Sequence, residues 1–186
     1  MAELSLKGQF LLASQSLTDP NFSRTVVYIF DHTSEGAAGV VINRPSKLTI
    51  EELSTKIYGS TIEWDKPIHV GGPVGGPLVM IHENADLADD EIEAEIYRTV
   101  DPDKIQEMLH EQVEPSLLVA NYAGWGPMQL EGELSEGSWE IKPATREHIF
   151  WNGIKDLWDL LTGEIQASQI AEMLRIQRQS GNPNLN

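Results

Sequence analysis

Apolar residues in this chain fall in short blocks broken by turn residues, not along one long period. Residues 9–14 (QFLLAS) and 24–30 (RTVVYIF) are compact, apolar and rich in β-branched or aromatic side chains, which predicts two strands. Between them LTDPNFS has the Asp-Pro-Asn chemistry of a turn. A second turn, HTSEGAAG, leads into a third strand, VVIN, closed by Arg44-Pro45, where the proline holds the preceding residues extended. Thr49 and Glu52 form a capping box, so a short helix is expected to run to about Ile57 and stop at Gly59.

IHV (68–70) and LVMIH (78–82) read as strands joined across GGPVGGP as a wide hairpin, and EIYRTV (95–100) as a further strand. Asp101-Pro102 opens a helix, Asp as cap and Pro pre-set for the first helical position, with Ile105, Leu109 and Val113 on one face. SLLVANY (116–122) is a strand. Gly126-Pro127 predicts a helix over about 127–135, ended by Gly137, and SWEIK (138–142) is the next strand. Thr145 caps a short turn. Ile154, Leu157, Trp158 and Leu161 form one amphipathic helix; Ile170, Met173 and Leu174 mark a second, weaker one; the tail SGNPNLN is expected to fray. The first three strands are linked by turns too short for helical crossovers, so the sheet should be largely antiparallel and the fold α+β.

The chain has 186 residues, the size of a single domain, and no cysteine, which removes disulfides, thiolate metal sites and a cysteine nucleophile together. The first residues lack the basic and long apolar regions of a signal peptide, and no stretch is apolar enough to span a membrane, so the expected location is cytoplasmic. The formal charge of −16 is concentrated in residues 83–114, which hold 12 acids and 2 bases. Such a chain repels phosphate backbones, so direct nucleic-acid binding is not expected, and the acidic segment reads as a solvated face.

Four blocks together resemble one family: Phe10–Ala13 through Asp19–Tyr28; His32 with Gly36–Pro45; Val70–Val74 with His82; and Tyr122–Glu131 followed by Trp139. In this order they resemble the AlgH/YqgE-like bacterial proteins over about residues 6–162. The resemblance implies an irregular, largely antiparallel, branched sheet with a small β-barrel surrounded by helices. Residues beyond about 164 form a helical extension of the single domain. Family members carry the label transcriptional regulator, with no defined reaction attached. Gln15 stands where the family often has proline, and Met128 where it commonly has glycine.

The chemistry-bearing candidates lie in these blocks. Arg24 opens a strand while Asn43 and Arg44 close another, and two arginines at strand ends can clamp a carboxylate or phosphate. Equally, each arginine can pin a loop by pairing with an acid such as Asp19 or Glu131. Gly71 and Gly72 let a ligand or another backbone approach closely, but GGPVGG is neither a P-loop nor a dinucleotide fingerprint. His32 and His82 end apolar strands without metal-ligand spacing, so neither metal nor cofactor is expected. Tyr122, Trp125, Gln129 and Glu131 surround the glycines before a predicted helix, where Trp125 is either a core plug or the wall of a site.

Without a nucleophile elbow or paired carboxylates, the residues favour a non-catalytic binding protein with an indirect regulatory role. It would take a small anionic ligand, a peptide or a protein partner, and the C-terminal helix could support a homodimer. The alternative is a hydrolase-like site in which Arg24 or Arg44 holds an anion and His32 or Glu131 acts as base. Under the binding reading, Arg44→Ala is expected to weaken binding more than folding.

Overall fold

A computed structural model describes residues 5–180. Its ten strands are β1 (Gln9–Ala13), β2 (Val26–Thr33), β3 (Gly36–Val41), β4 (Pro45–Thr49), β5 (Pro67–Val70), β6 (Val74–His82), β7 (Asp90–Glu93), β8 (Ile96–Thr99), β9 (Ser116–Trp125) and β10 (Trp139–Pro143). Its helices are α1 (Ile50–Tyr58), α2 (Pro102–His110), α3 (Gln129–Ser135), α4 (Arg146–Ile149) and α5 (Leu157–Ser180). The main strand order is β10-β1-β2-β3-β9-β6-β8-β7, with β4 and β5 forming a branch off β9. Every pair is antiparallel except β5 with β9. The sheet curls into a half-barrel, an α+β fold.

Both faces of the sheet are covered, which is why its strands read as continuous apolar runs instead of alternating ones. Phe10, Leu12, Tyr28 and Val40 point to the inner face, where they meet Val79, Ile81 and Val119 and are plugged by Leu157, Trp158 and Leu161 of α5. Their neighbours Leu11, Val27, Ile29 and Val41 point outward, under Leu130 of α3, Trp125 and Trp139. In the other half of the sheet, Met80 and Leu118 face outward against Ile50 of α1 and Ile105, Met108 and Leu109 of α2. The period of two thus sorts one strand's residues between two cores.

Local signals place most elements. Thr49 and Glu52 complete the capping box of α1, and Gly59 ends it at φ 66°. Asp101 accepts from the N–H groups of Asp103 and Lys104 to start α2.

The hairpin expected across GGPVGGP is not formed: β5 and β6 lie on opposite sides of β9, which separates them. Long-range pairing overrides proximity in sequence here. The connection crosses β9 where Asn121 turns left-handed at φ 65°. Gly71 bridges β3 and β9, donating to Ala120 O and accepting from Val41 N, each at 2.8 Å. At Gly72 a Cβ would stand 2.3 Å from the Tyr122 carbonyl.

Three boundaries also differ. Strand β2 begins at Val26, not at Arg24, which adopts φ 57° in the preceding turn. Helix α3 begins at Gln129, after Met128 at φ 60°, so Pro127 lies outside it. The two C-terminal helices are one, since Gly163 does not break α5, and Ile154 lies before it, fully exposed. Strands β4 and β7 were not anticipated. The expected fraying of residues 181–186 falls outside the described residues.

Candidate functional site

The candidates divide into separate clusters. At the first, Arg24 bonds Asp159 of α5 at 2.7 Å and lies 4.6 Å over the Trp158 ring. Asn43 extends the sheet with its side chain: Oδ1 accepts from Val26 N at 2.8 Å and Nδ2 donates to Arg24 O at 3.0 Å. Arg44 gathers three loop carbonyls, Asn21 at 2.5 Å and Pro20 and Ser23 at 3.1 Å. Both arginines therefore pin the β1–β2 loop, though through Asp159 and backbone carbonyls, not through Asp19 or Glu131.

The second cluster surrounds α3. His32 Nδ1 accepts from Leu6 N at 2.9 Å, so that nitrogen carries no proton, and Nε2 donates to Glu131 Oε1 at 2.8 Å. That hydrogen bond holds the Glu131 carboxyl below its usual range. Trp125 is buried against Phe22 and Trp139, with ring centroids 6.2 and 6.0 Å away, and its Nε1 donates to Glu133 Oε2 at 2.9 Å. Gln129 accepts from Gly126 N at 3.1 Å and donates to Glu133 Oε1 at 2.9 Å. Trp125 is a core plug with its one polar atom satisfied. Met128 adopts a left-handed backbone at φ 60°, a conformation that favours glycine.

The remaining candidates are apart from both clusters. His82 is buried: Nδ1 accepts from Asn84 N at 3.1 Å, and Nε2 meets Thr99 Oγ1 at 2.9 Å, which donates to Leu87 O. Burial lowers its pKa. Gly71 and Gly72 receive the β9 backbone, and Tyr122 lies beside Gly76, where a Cβ would stand 3.0 Å from its ring. Arg24 and His32 flank opposite ends of β2, so about 26 Å separates their backbones at strand rise.

A cavity of about 700 Å³ opens elsewhere, between β5, the start of β9 and the segment Phe150–Leu157. Its volume is in the range of small-molecule sites. Of the residues picked from sequence, only Asn43 lines it. The walls are mostly apolar, with Pro115, Phe150 and Trp151 among them. Trp151 Nε1 donates to Lys155 O at 2.9 Å, which folds this segment around the ring, and a Cβ at Gly153 would stand 2.1 Å from that ring. Lys66 supplies a cation, but Glu114 takes it at 2.8 Å through both oxygens and Ser116 O at 2.5 Å, so its three N–H donors are engaged.

His69, on β5, differs from the other histidines. Its Nδ1 is buried with no hydrogen-bond partner among the described residues. Burial, with the Lys66 charge nearby adding to it, pushes its pKa down to about 4, so a neutral imidazole lines the cavity near pH 7. Sequence reasoning missed it because Ile-His-Val reads as an ordinary strand. The one available signal was a polar ring in an otherwise apolar triplet. The other walls come largely from residues 42–45, 114–117 and 150–157, distant in sequence.

Among the described residues no group of three or more His, Cys, Asp or Glu is arranged to hold a metal ion, and no helix is long and apolar enough to cross a membrane.

Residues 10–169 match the AlgH-like family profile. The chain is 33% identical over 171 residues to a UPF0301 protein of Thermobifida fusca, covering 85% of this chain and 86% of that one. It is 35% identical over 167 residues to a UPF0301 protein of Xanthomonas campestris, covering 86% and 89%. The solution structure of the AlgH protein from Pseudomonas aeruginosa superposes with a TM-score of 0.71 at 26% identity, covering 100% of this chain and 98% of that one. A crystal structure from Corynebacterium diphtheriae shares the fold, with a TM-score of 0.68 at 22% identity and 84% of each chain covered. In sequence along most of its length, and in its curled, branched sheet, this chain belongs to the AlgH-like family.

Proposed function

We propose that this is a non-catalytic binding protein whose ligand enters the cavity beside His69, with any regulatory effect exerted indirectly through the bound state. The observation that carries this is a ligand-sized cavity whose lining includes His69, a neutral imidazole near pH 7, beside Trp151 and Phe150. Pro45, Pro67, Pro115, Phe150 and Trp151 line the cavity beside two charges of each sign, Lys66 and Lys155 with Glu114 and Asp156, and with Lys66 held by Glu114 they favour a small molecule or peptide side chain with an uncharged, largely apolar body over an anion. The hydrolase-like alternative has little support: both nitrogens of His32 are engaged, and Arg24 and Arg44 hold backbone and α5 far from Glu131.

Screening uncharged heteroaromatic fragments by amide and indole NMR shifts tests the proposal. Bound fragments should move the resonances of His69 and Trp151 together, and His69→Phe should weaken them about tenfold. Shifts confined to other surfaces, or none across the library, would refute it.

A further inference from the structure

Beyond the cavity, one face of α5 between residues 166 and 175 has no partner among the described residues. All residues in that stretch are exposed, and Ile170, Met173 and Leu174 stand 59%, 62% and 52% accessible on adjacent turns. Lower on the helix the same face is concave. Leu160, Gly163 and Ala167 line an open groove of about 620 Å³. The five positions 160, 163, 167, 170 and 174 alternate in steps of three and four, the spacing of a helix-packing seam. We propose that α5 pairs antiparallel with α5 of a second copy of this chain, forming a weak two-fold dimer.

Self-complementarity selects this occupant. The small residues and the large ones share one seam, about 11 Å apart along the axis at helical rise. A two-fold axis near Ala167 sets Leu174 of each copy against Leu160 of the other, so each groove receives a protruding end. That is the isologous arrangement in which one patch serves both partners. Charge chooses the direction. Asp156 and Asp159 share the single guanidinium of Arg24, at 3.9 and 2.7 Å, at the base of α5, where Lys155 also lines the groove. Arg175 stands near the other end, where its one ion pair among the described residues is a 3.9 Å contact to Glu172. Antiparallel pairing places Arg175 opposite Asp159, whereas parallel pairing stacks each on its own kind. Two helices meeting over a few turns bury less than the roughly 1,200 Å² of a stable interface, so the dimer should be concentration-dependent.

The chain has no cysteine, so single introduced thiols report pairing directly. In the full chain under mild oxidation, Ala167→Cys should cross-link to itself. Leu174→Cys alone should not, but should cross-link when mixed with Leu160→Cys. Sedimentation velocity from about 10 to about 500 µM should show dimer growing with concentration. Leu174→Asp should weaken it about tenfold or more while leaving the thermal midpoint of the dilute protein unchanged. A monomer at every concentration, self-linking by Leu174→Cys in place of Ala167→Cys, or a dimer indifferent to Leu174→Asp would each overturn the proposal.

Discussion

Trp125 and Trp139 aim their indole N–H groups at one atom, Oε2 of Glu133, at 2.9 and 2.8 Å, with their rings crossing at 78°. One carboxylate on α3 thereby ties the end of β9 to the start of β10. Truncating it strands two partly buried donors at once. Glu133→Ala should cost about 3 kcal/mol in urea denaturation, with a changed tryptophan emission in the folded state. A loss below about 1 kcal/mol would mean that water replaces the carboxylate without penalty.

Arg44 makes a similar junction with backbone. Its three carbonyl contacts hold residues 20–23 in place, so Arg44→Ala should lower folding stability by about 2 kcal/mol. Arg44→Lys should recover only part of that, because an ammonium lacks the planar fork. Fragment affinity at the cavity should barely change in either variant. This reverses what the sequence suggested, that the alanine change would act on binding more than on folding.

Stability should fall as pH drops from 6.5 to 4. His69 has its pKa pushed down to about 4 in the fold, against an unfolded value near 6.5, so between these the unfolded chain binds the extra proton. The full loss from this residue is about 3 kcal/mol at most. His82 moves in the same direction, through burial. A second loss should follow below pH 4. Asp89, held by the Lys104 hydrogen bond, keeps a pKa of about 2 and loses its contribution as pH falls from about 4 to 2. Thermal midpoints across pH 2–7 read both windows. His69→Phe should flatten the upper one and Lys104→Met the lower, and an unchanged upper slope in His69→Phe would refute the assignment.

Gly72→Ala should be among the most damaging single-methyl additions in the chain. The new Cβ would meet the Tyr122 carbonyl at 2.3 Å, backbone against backbone, with no flexible side chain to yield. A loss above about 3 kcal/mol, or failure to fold, is expected by circular dichroism. Gly75→Ala, three residues on and already in β6, has open space and should be nearly neutral.

Much of this fold was legible because its signals are local. The capping box at Thr49, the Asp101-Pro102 start and Gly59 act within one turn of chain and need no tertiary knowledge. The hairpin across residues 71–77 was misread for the opposite reason: β9, which separates its arms, lies some 40 residues downstream. Strand β7, with sequence DEIE, carries three acids at a sheet edge, where charge suits solvent and hides the strand from any apolar pattern. For the site, conspicuous residues misled. Trp125, Arg44 and His32 stand out because a left-handed turn, a loop and a strand end need specific partners. The cavity's walls, by contrast, include prolines, a tryptophan and a histidine from segments that only folding brings together.

Strand β9 is also a piece for which β3 must wait. During synthesis β3 is complete at Val41, but the strand that covers its free edge begins only at Ser116. At about 5–20 residues per second, a ribosome exposes that apolar edge for roughly 4–15 s before its partner emerges. Nascent chains stalled between these points should therefore recruit chaperones, and chains stalled well past Trp125 should release them.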